Sequence, residues 1–229
     1  MPRQATFASF RRRALAASGQ RSDDVAKPAD SQQDRKLGNM PFPDELGRGI
    51  AVVPYDARWP DAFVALTNRV QGALEPLIVK VDHIGSTSVP GLAAKDCIDL
   101  QVRVDTLDED TIISRFEKIG FRVRPEAWNR VEIAFGVKWQ KLVFAPPPGE
   151  RASNVHFREA ASETARRNLL FRDFLRANDT ARDAWGAFKH QLALIATDIY
   201  QYGQIKVGPT EILMIAAESW AADTGWVVP

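Results

Sequence analysis

Gly85-Ser86-Thr87-Ser88 sets a glycine and three hydroxyl side chains in consecutive positions. Such a turn presents free backbone N–H groups together with hydroxyl donors, the groups that hold a phosphate or carboxylate. Farther on, Cys97-Ile98-Asp99-Leu100-Gln101-Val102 alternates like a strand, so Asp99 and Gln101 share one face while Leu100 and Val102 take the other. A carboxylate in an apolar strand must meet a cation, a metal or hydrogen-bond donors, because burying it alone is costly. Asp99 is therefore a candidate Mg²⁺ ligand and catalytic carboxylate. The alternative is a structural ion pair with Lys95 or with an arginine of the C-terminal half. Gln101 supplies only a neutral oxygen and weakens a cation site. In Asn154-Val155-His156-Phe157-Arg158 the same alternation brings His156 and Arg158 to one face. Histidine titrates near neutrality, so His156 is a candidate base toward an acceptor hydroxyl; the other reading is a strand histidine bonded to a neighbour. Glu132 is a second candidate acid. His83, just before the turn, either touches a phosphate or positions the turn.

The elements that must place these residues follow from periodicity and punctuation. Residues 77–84 and 96–104 read as two central strands flanking the glycine turn. Ala51–Tyr55 reads as an entry strand, and a helix runs from about Asp61 to Leu74, with Phe63, Leu66, Val70 and Leu74 at core spacing. Leu107–Ile119 is a second helix, stopped by Gly120. Strands are expected at Phe121–Arg124, Arg130–Phe135, Lys138–Phe144 and Asn154–Arg158, with a proline-rich loop at 146–149. From Glu159 the pattern turns helical, over Ser162–Ala177, Thr180–Tyr200 and Thr210–Ala222, with a break expected at Gly208-Pro209. Sheet first and helices last make an α+β fold with a groove at the junction.

His83–Val102 closely resembles the signature of the GrpB-like family, which also occurs fused behind dephospho-CoA kinase and is assigned to the nucleotidyltransferase fold superfamily. The resemblance continues through Asn154–Glu159, Arg166–Asn178, Lys189 and Tyr202–Trp226, and covers roughly residues 50–226. It implies a nucleotidyltransferase-like mixed β-sheet with flanking helices and a C-terminal helical lobe. In such enzymes a Gly-Ser turn takes the phosphates of a triphosphate and two alternating acids hold Mg²⁺. Here Gly85-Ser86 leads to Asp99, but Gln101 stands where the second acid is expected, and His156 where a third would be. The resemblance further implies that Gly85, Ser86, Thr87 and Ser88 bind ligand. Among the cations of the matching runs, Lys95, Arg158 and Arg172 are the candidate ligand contacts, followed by Lys206. Trp220 and Trp226 read as packing aromatics at the C-terminus, or else as a stacking platform for a base.

Composition narrows the remaining classes. Thirty Lys and Arg against 29 Asp and Glu leave a net charge of +1 over 229 residues, so nothing points to nucleic acid as a partner. The single cysteine, Cys97, reads as a packed thiol on a buried strand. The lack of a long apolar run points to a soluble, cytoplasmic protein without a membrane partner. Residues 1–45 read as an N-terminal extension, disordered or targeting-like, since MPRQATFASFRRRALAASGQ has the arginine-rich, acid-poor character of an organelle transit peptide. Residues 46–229 then form one domain. The expected function is Mg²⁺-dependent transfer of a nucleotidyl group from a nucleoside triphosphate to a small acceptor. The alternative is a non-catalytic module that binds a nucleotide, a CoA-type ligand or another phosphorylated small molecule, or assists a kinase.

Overall fold

A computed structural model describes residues 42–46 and 49–229. The expectation of a disordered or targeting-like segment falls, up to residue 41, outside the described residues. Within them, Pro43–Leu46 (α1) forms one helical turn. It is held by Arg122 on Asp44 and by a two-pronged Arg124–Glu45 pair at 2.7 and 2.9 Å.

Five strands make the main sheet: Ile78–Ile84 (β1), Ile98–Val104 (β2), Arg122–Val123 (β3), Leu142–Ala145 (β6) and Ser153–Glu159 (β7), in the order β1-β2-β7-β6-β3. β2 pairs parallel to β7, and the other neighbours are antiparallel, so the sheet is mixed. Val131–Ala134 (β4) and Val137–Gln140 (β5) form a separate hairpin. The strand expected over Lys138–Phe144 is therefore two strands broken at Lys141. Its side chain turns inward to an ion pair with Glu132 at 2.8 Å, while its N–H closes the hairpin on the Arg130 carbonyl at 2.9 Å before β6 joins the main sheet. The entry strand expected at Ala51–Tyr55 reduces to a single bridge between Val53 and Ala94.

Alternation gives the sheet two unlike faces. Leu100 and Val102 of β2 and Val155 and Phe157 of β7 point into an apolar core with Phe116, Phe144, Val70 and Leu74. Trp59–Leu74 (α2) and Glu109–Lys118 (α3) cover that face. Each large side chain fully buried there is worth about 1.5–3 kcal/mol. The α3 helix starts where Asp108 accepts from the Thr111 N–H, an N-cap of about 1 kcal/mol. The opposite face carries Asp82, Asp99, Gln101, Arg103, Asn154, His156 and Arg158, and Glu163–Ala177 (α4) lies against it.

Asp179–Ile195 (α5) and Ile199–Thr224 (α6) complete the helical lobe around Leu170, Phe174, Trp185 and Met214. The helix expected to run on to Tyr200 ends at Ile195. Asp198 caps the next one, accepting from the Gln201 N–H at 2.8 Å while Gln201 Oε1 accepts from the Thr197 N–H at 2.6 Å. Gly208-Pro209 does not break α6. Pro209 lies inside its 26 residues, and Thr210 Oγ1 adds a bond to the Lys206 carbonyl at 2.7 Å. Of the two C-terminal tryptophans, Trp220 lies against Phe174, and Trp226 donates to Asp173 at 3.1 Å.

Candidate functional site

The glycine turn is built by its neighbours. Gly85 has φ +69 and ψ −173, a region open essentially to glycine alone, and an added Cβ would meet Asp99 Cβ at 2.9 Å. The chain then makes a single 3₁₀ turn over Ser86–Ser88, closed by Ser88 N–H and Oγ on the Gly85 carbonyl and by Val89 N–H on the Ser86 carbonyl. Thr87 Oγ1 contacts His83 Nε2 at 3.0 Å and donates to the Cys97 carbonyl. Thr87 and Ser88 are thus buried and spend their hydroxyls on the turn itself. The Ser86 hydroxyl is half-exposed and has no hydrogen bond among the described residues. It is the hydroxyl of the three that can meet a ligand.

His83 positions the turn: its ring stacks on Phe63 at 4.5 Å, and burial pushes its pKa down to about 4, so it is neutral at physiological pH. The helical lobe grips the turn's ends. Arg172 donates from Nη1 to the His83 carbonyl at 3.1 Å, and Arg176, one turn later on α4, donates from Nε and Nη2 to the Ser88 carbonyl at 3.0 and 2.7 Å. The remaining donors of Arg172 go to Asp173, so this buried guanidinium is committed to the scaffold.

Asp99 lies beside the turn. Asn154 Nδ2, its register partner on β7, donates to Oδ1 at 2.8 Å, and His156 Nε2 is 3.6 Å from the same oxygen. Burial alone would raise the Asp99 pKa, but His156, Asn154 and Lys95 outweigh it and hold the carboxyl below its ordinary value. His156 goes the other way: burial depresses it further than Asp99 lifts it, so the ring is neutral near pH 7. Its Nδ1 is buried without a hydrogen-bond partner among the described residues. The Cys97 thiol is pushed up to about 12 by burial, which makes it inert as a nucleophile.

Gln101 does not reach this cluster. It is fully buried; its amide donates to the Ala165 carbonyl at 3.3 Å, and its Oε1 accepts from Arg158 Nη1 at 3.1 Å. Arg158 in turn makes a two-pronged pair with Glu132 at 2.7 and 2.8 Å, and Glu132 also takes Lys141. These cations overcome the burial that would otherwise raise the Glu132 pKa and drive it far down. Asp82 and Arg103 pair at 2.8 Å in the same layer. Arg158 and Gln101 are buried beneath the lobe in a network with the half-buried Glu132, two residues along their strands from His156 and Asp99.

Three lysines converge, two of them, Lys95 and Lys206, within electrostatic reach of Asp99 and the third, Lys189, beside those two. Lys95, on the loop into β2, lies 5.2 Å from the Tyr202 ring; Lys206 lies 5.5 Å from the same ring and 6.0 Å from Trp185. Lys189 on α5 is buried and donates to the Ala93 carbonyl. Burial, together with Lys206 and Lys95, pushes Lys189 down to about 7; burial and Lys95 push Lys206 down to about 8, while Asp99 lifts it. None of the three has a carboxylate within ion-pair distance among the described residues. Lys206 also lines a cleft of about 410 Å³ with Glu132, Thr164, Asn168, Gly203 and Thr210. The joint role of Lys189 and Tyr202 is the part that residue types alone did not indicate. The helical spacing of Tyr202 and Lys206 was the available signal.

Mg²⁺ fits this donor set poorly. Asp99 is a lone carboxylate, Gln101 is turned under Ala165, and no group of three metal-binding side chains occurs among the described residues. The neighbouring charges are cationic.

The mixed sheet, with an apolar face under two helices and a polar face roofed by a three-helix lobe, defines a three-layered α+β protein with its candidate site at the sheet–lobe junction. Within that class the chain belongs to the GrpB protein family, whose sequence profile matches residues 49–211. It is 37% identical over 147 residues to a UPF0157 protein of Halalkalibacterium halodurans, covering 63% of this chain and 69% of that one. It is 32% identical over 195 residues to a dephospho-CoA kinase of Mycolicibacterium paratuberculosis, covering 77% of this chain but only 48% of the kinase. The crystal structure of the conserved protein GrpB from Enterococcus faecalis superposes with a TM-score of 0.62 at 28% identity, covering 77% of this chain and all of that one.

Proposed function

We propose that this chain binds a nucleotide or a similar phosphorylated small molecule at the junction of the glycine turn and the helical lobe, as a binding module rather than a metal-dependent transferase. The observation that carries this reading is the group of three mutually repelling lysines, Lys95 and Lys206 over the Tyr202 ring and Lys189 beside them, with no carboxylate partner among the described residues. Unpaired cations that depress one another are costly in the free protein, and an anion relieves that cost. Ser86 supplies a hydroxyl and the turn its N–H groups; Asp99, Asn154 and His156 shape the wall opposite. The kinase name carried by a relative more than twice this chain's matched length supports a ligand of the nucleotide or CoA type, or a kinase-assisting role.

Nucleotidyl transfer is the second reading, favoured by an ionised Asp99 placed against Gly85. In it His156, neutral and next to Asp99, takes the acceptor's proton. The donor set does not fit a resident Mg²⁺, so no step is derived through one. Isothermal titration of the full chain with ATP, GTP, CTP, UTP, CoA and tripolyphosphate, with and without Mg²⁺, separates the two. The expected result is binding without Mg²⁺ that weakens at least ~10-fold in Lys206→Ala, a loss of about 1.4 kcal/mol. Binding that requires Mg²⁺ and disappears in Asp99→Ala would establish the transferase reading instead. No binding by any of these ligands would sink both.

A further inference from the structure

Helix α6 is apolar on both sides. Its inner side buries Tyr202, Met214, Ala217 and Ala221 against α4 and α5. Its outer side carries Ile205, Gly208, Ile212, Ile215, Ala216 and Ser219, which line up at 3.6 residues per turn and are all exposed. Ile212 and Ile215 are 70% and 73% exposed. A helix that is hydrophobic all round is normally buried all round. This one leaves a charge-free stripe roughly 20 Å long, at 1.5 Å per residue, open to solvent.

We propose that a second copy of this chain covers the stripe, the two α6 helices packing antiparallel across a two-fold axis near Ile212 and Ile215. Three observations single out a second copy. First, the stripe is palindromic in residue size: Gly208 and Ser219 each lie four residues outside the isoleucine pair, so a two-fold axis sets Ile212 of one copy against Ile215 of the other and Gly208 against Ser219. Second, the stripe offers on the order of 500 Å² per copy, so a pair buries ~1,000 Å², the lower bound for a biological interface and the range of a weak, reversible dimer. Third, the stripe holds no charge for a charged partner to read, the net charge of +1 leaves little repulsion between copies, and antiparallel helices oppose their dipoles. Lys206 lies on the inner side of α6, so pairing leaves the lysine site open and the inference stands apart from the ligand reading.

Sedimentation velocity of the full chain over a concentration series tests this, with Ile212→Glu/Ile215→Glu as the disrupting variant and Val79→Glu, an exposed apolar position on β1, as control. The expected wild-type species has twice the 25.5 kDa chain mass. The double variant should raise the dimer dissociation constant at least ~100-fold with unchanged circular dichroism, since it sets charges at the centre of the interface. A dimer unaffected by the double variant would overturn the inference, as would a wild type that is monomeric at all concentrations. A monomer whose melting temperature falls in the double variant would also overturn it, because the stripe would then be covered within a single chain.

Discussion

Lys189 and Lys206, at about 7 and about 8 in the folded chain, titrate well below the 10.5 of an ordinary lysine. Above pH 7 the unfolded chain therefore holds more protons than the folded one, and the unliganded protein gains stability as pH rises from 7 toward 10. A bound anion has the opposite effect: it restores both ammonium groups, takes up protons, and binds more weakly as pH climbs from 7 to 9. Tripolyphosphate titrated near pH 8 in buffers of different ionisation enthalpy should show net proton uptake, and Lys189→Met should reduce it. Zero uptake in the wild type would remove these lysines from the site. Residue types announced part of this chemistry. Gly85, Ser86 and Asp99 stood out because a glycine turn and an acid in an apolar strand each demand a partner. Lys189 stood out only through the family resemblance, since its isolation from carboxylates depends on which loops and helices meet around it.

Strands and helices decide which of the polar residues meet solvent. Strand alternation correctly put Asp99 with Gln101 and His156 with Arg158, but it says only which residues share a face, not what lies over that face. Here α4 covers half of it, so Asp99 stays at the edge while Gln101 and Arg158 disappear beneath Ala165. Arg158 is consequently a structural element of the lobe–sheet contact. Its replacement by methionine strands the half-buried Glu132 with Lys141 alone, and should lower unfolding free energy by about 3–5 kcal/mol in urea titrations. A loss under 1 kcal/mol would mean that the network contributes little. The triple variant Arg158→Met/Glu132→Leu/Lys141→Met, which leaves no member of the network unpaired, should recover much of the loss. The same coverage explains the helical misreading: Gly208-Pro209 is ordinarily a strong stop, and tertiary packing of Tyr202 and Met214 on either side carries α6 through it. That continuity also creates the outer apolar stripe, invisible while only Thr210–Ala222 of this region reads as a helix.

At the scale of the whole molecule, sheet and helical lobe are joined across the polar face by arginines and amides that reach backbone carbonyls. Arg172 and Arg176 fall on consecutive turns of α4, and between them hold the residues that flank the glycine turn. Arg176→Met should speed hydrogen exchange at the Ser88 and Val89 amides about 10-fold, equivalent to ~1.4 kcal/mol of local stability, while global unfolding changes less. Equal protection in the variant and the wild type would show that the turn holds itself. The fold class and the order of most elements were readable beforehand because the core positions of α2, α3, β2 and β7 repeat cleanly. The lobe's hold on the turn was not, because it runs through carbonyls, which no side-chain pattern reveals. Its consequence is one of portability. The Gly85–Ser88 segment is not a self-contained cassette: its shape is lent by a helix whose sequence begins more than seventy residues later. Transplanted into another scaffold without that helix, the same four residues would arrive as an ordinary flexible loop.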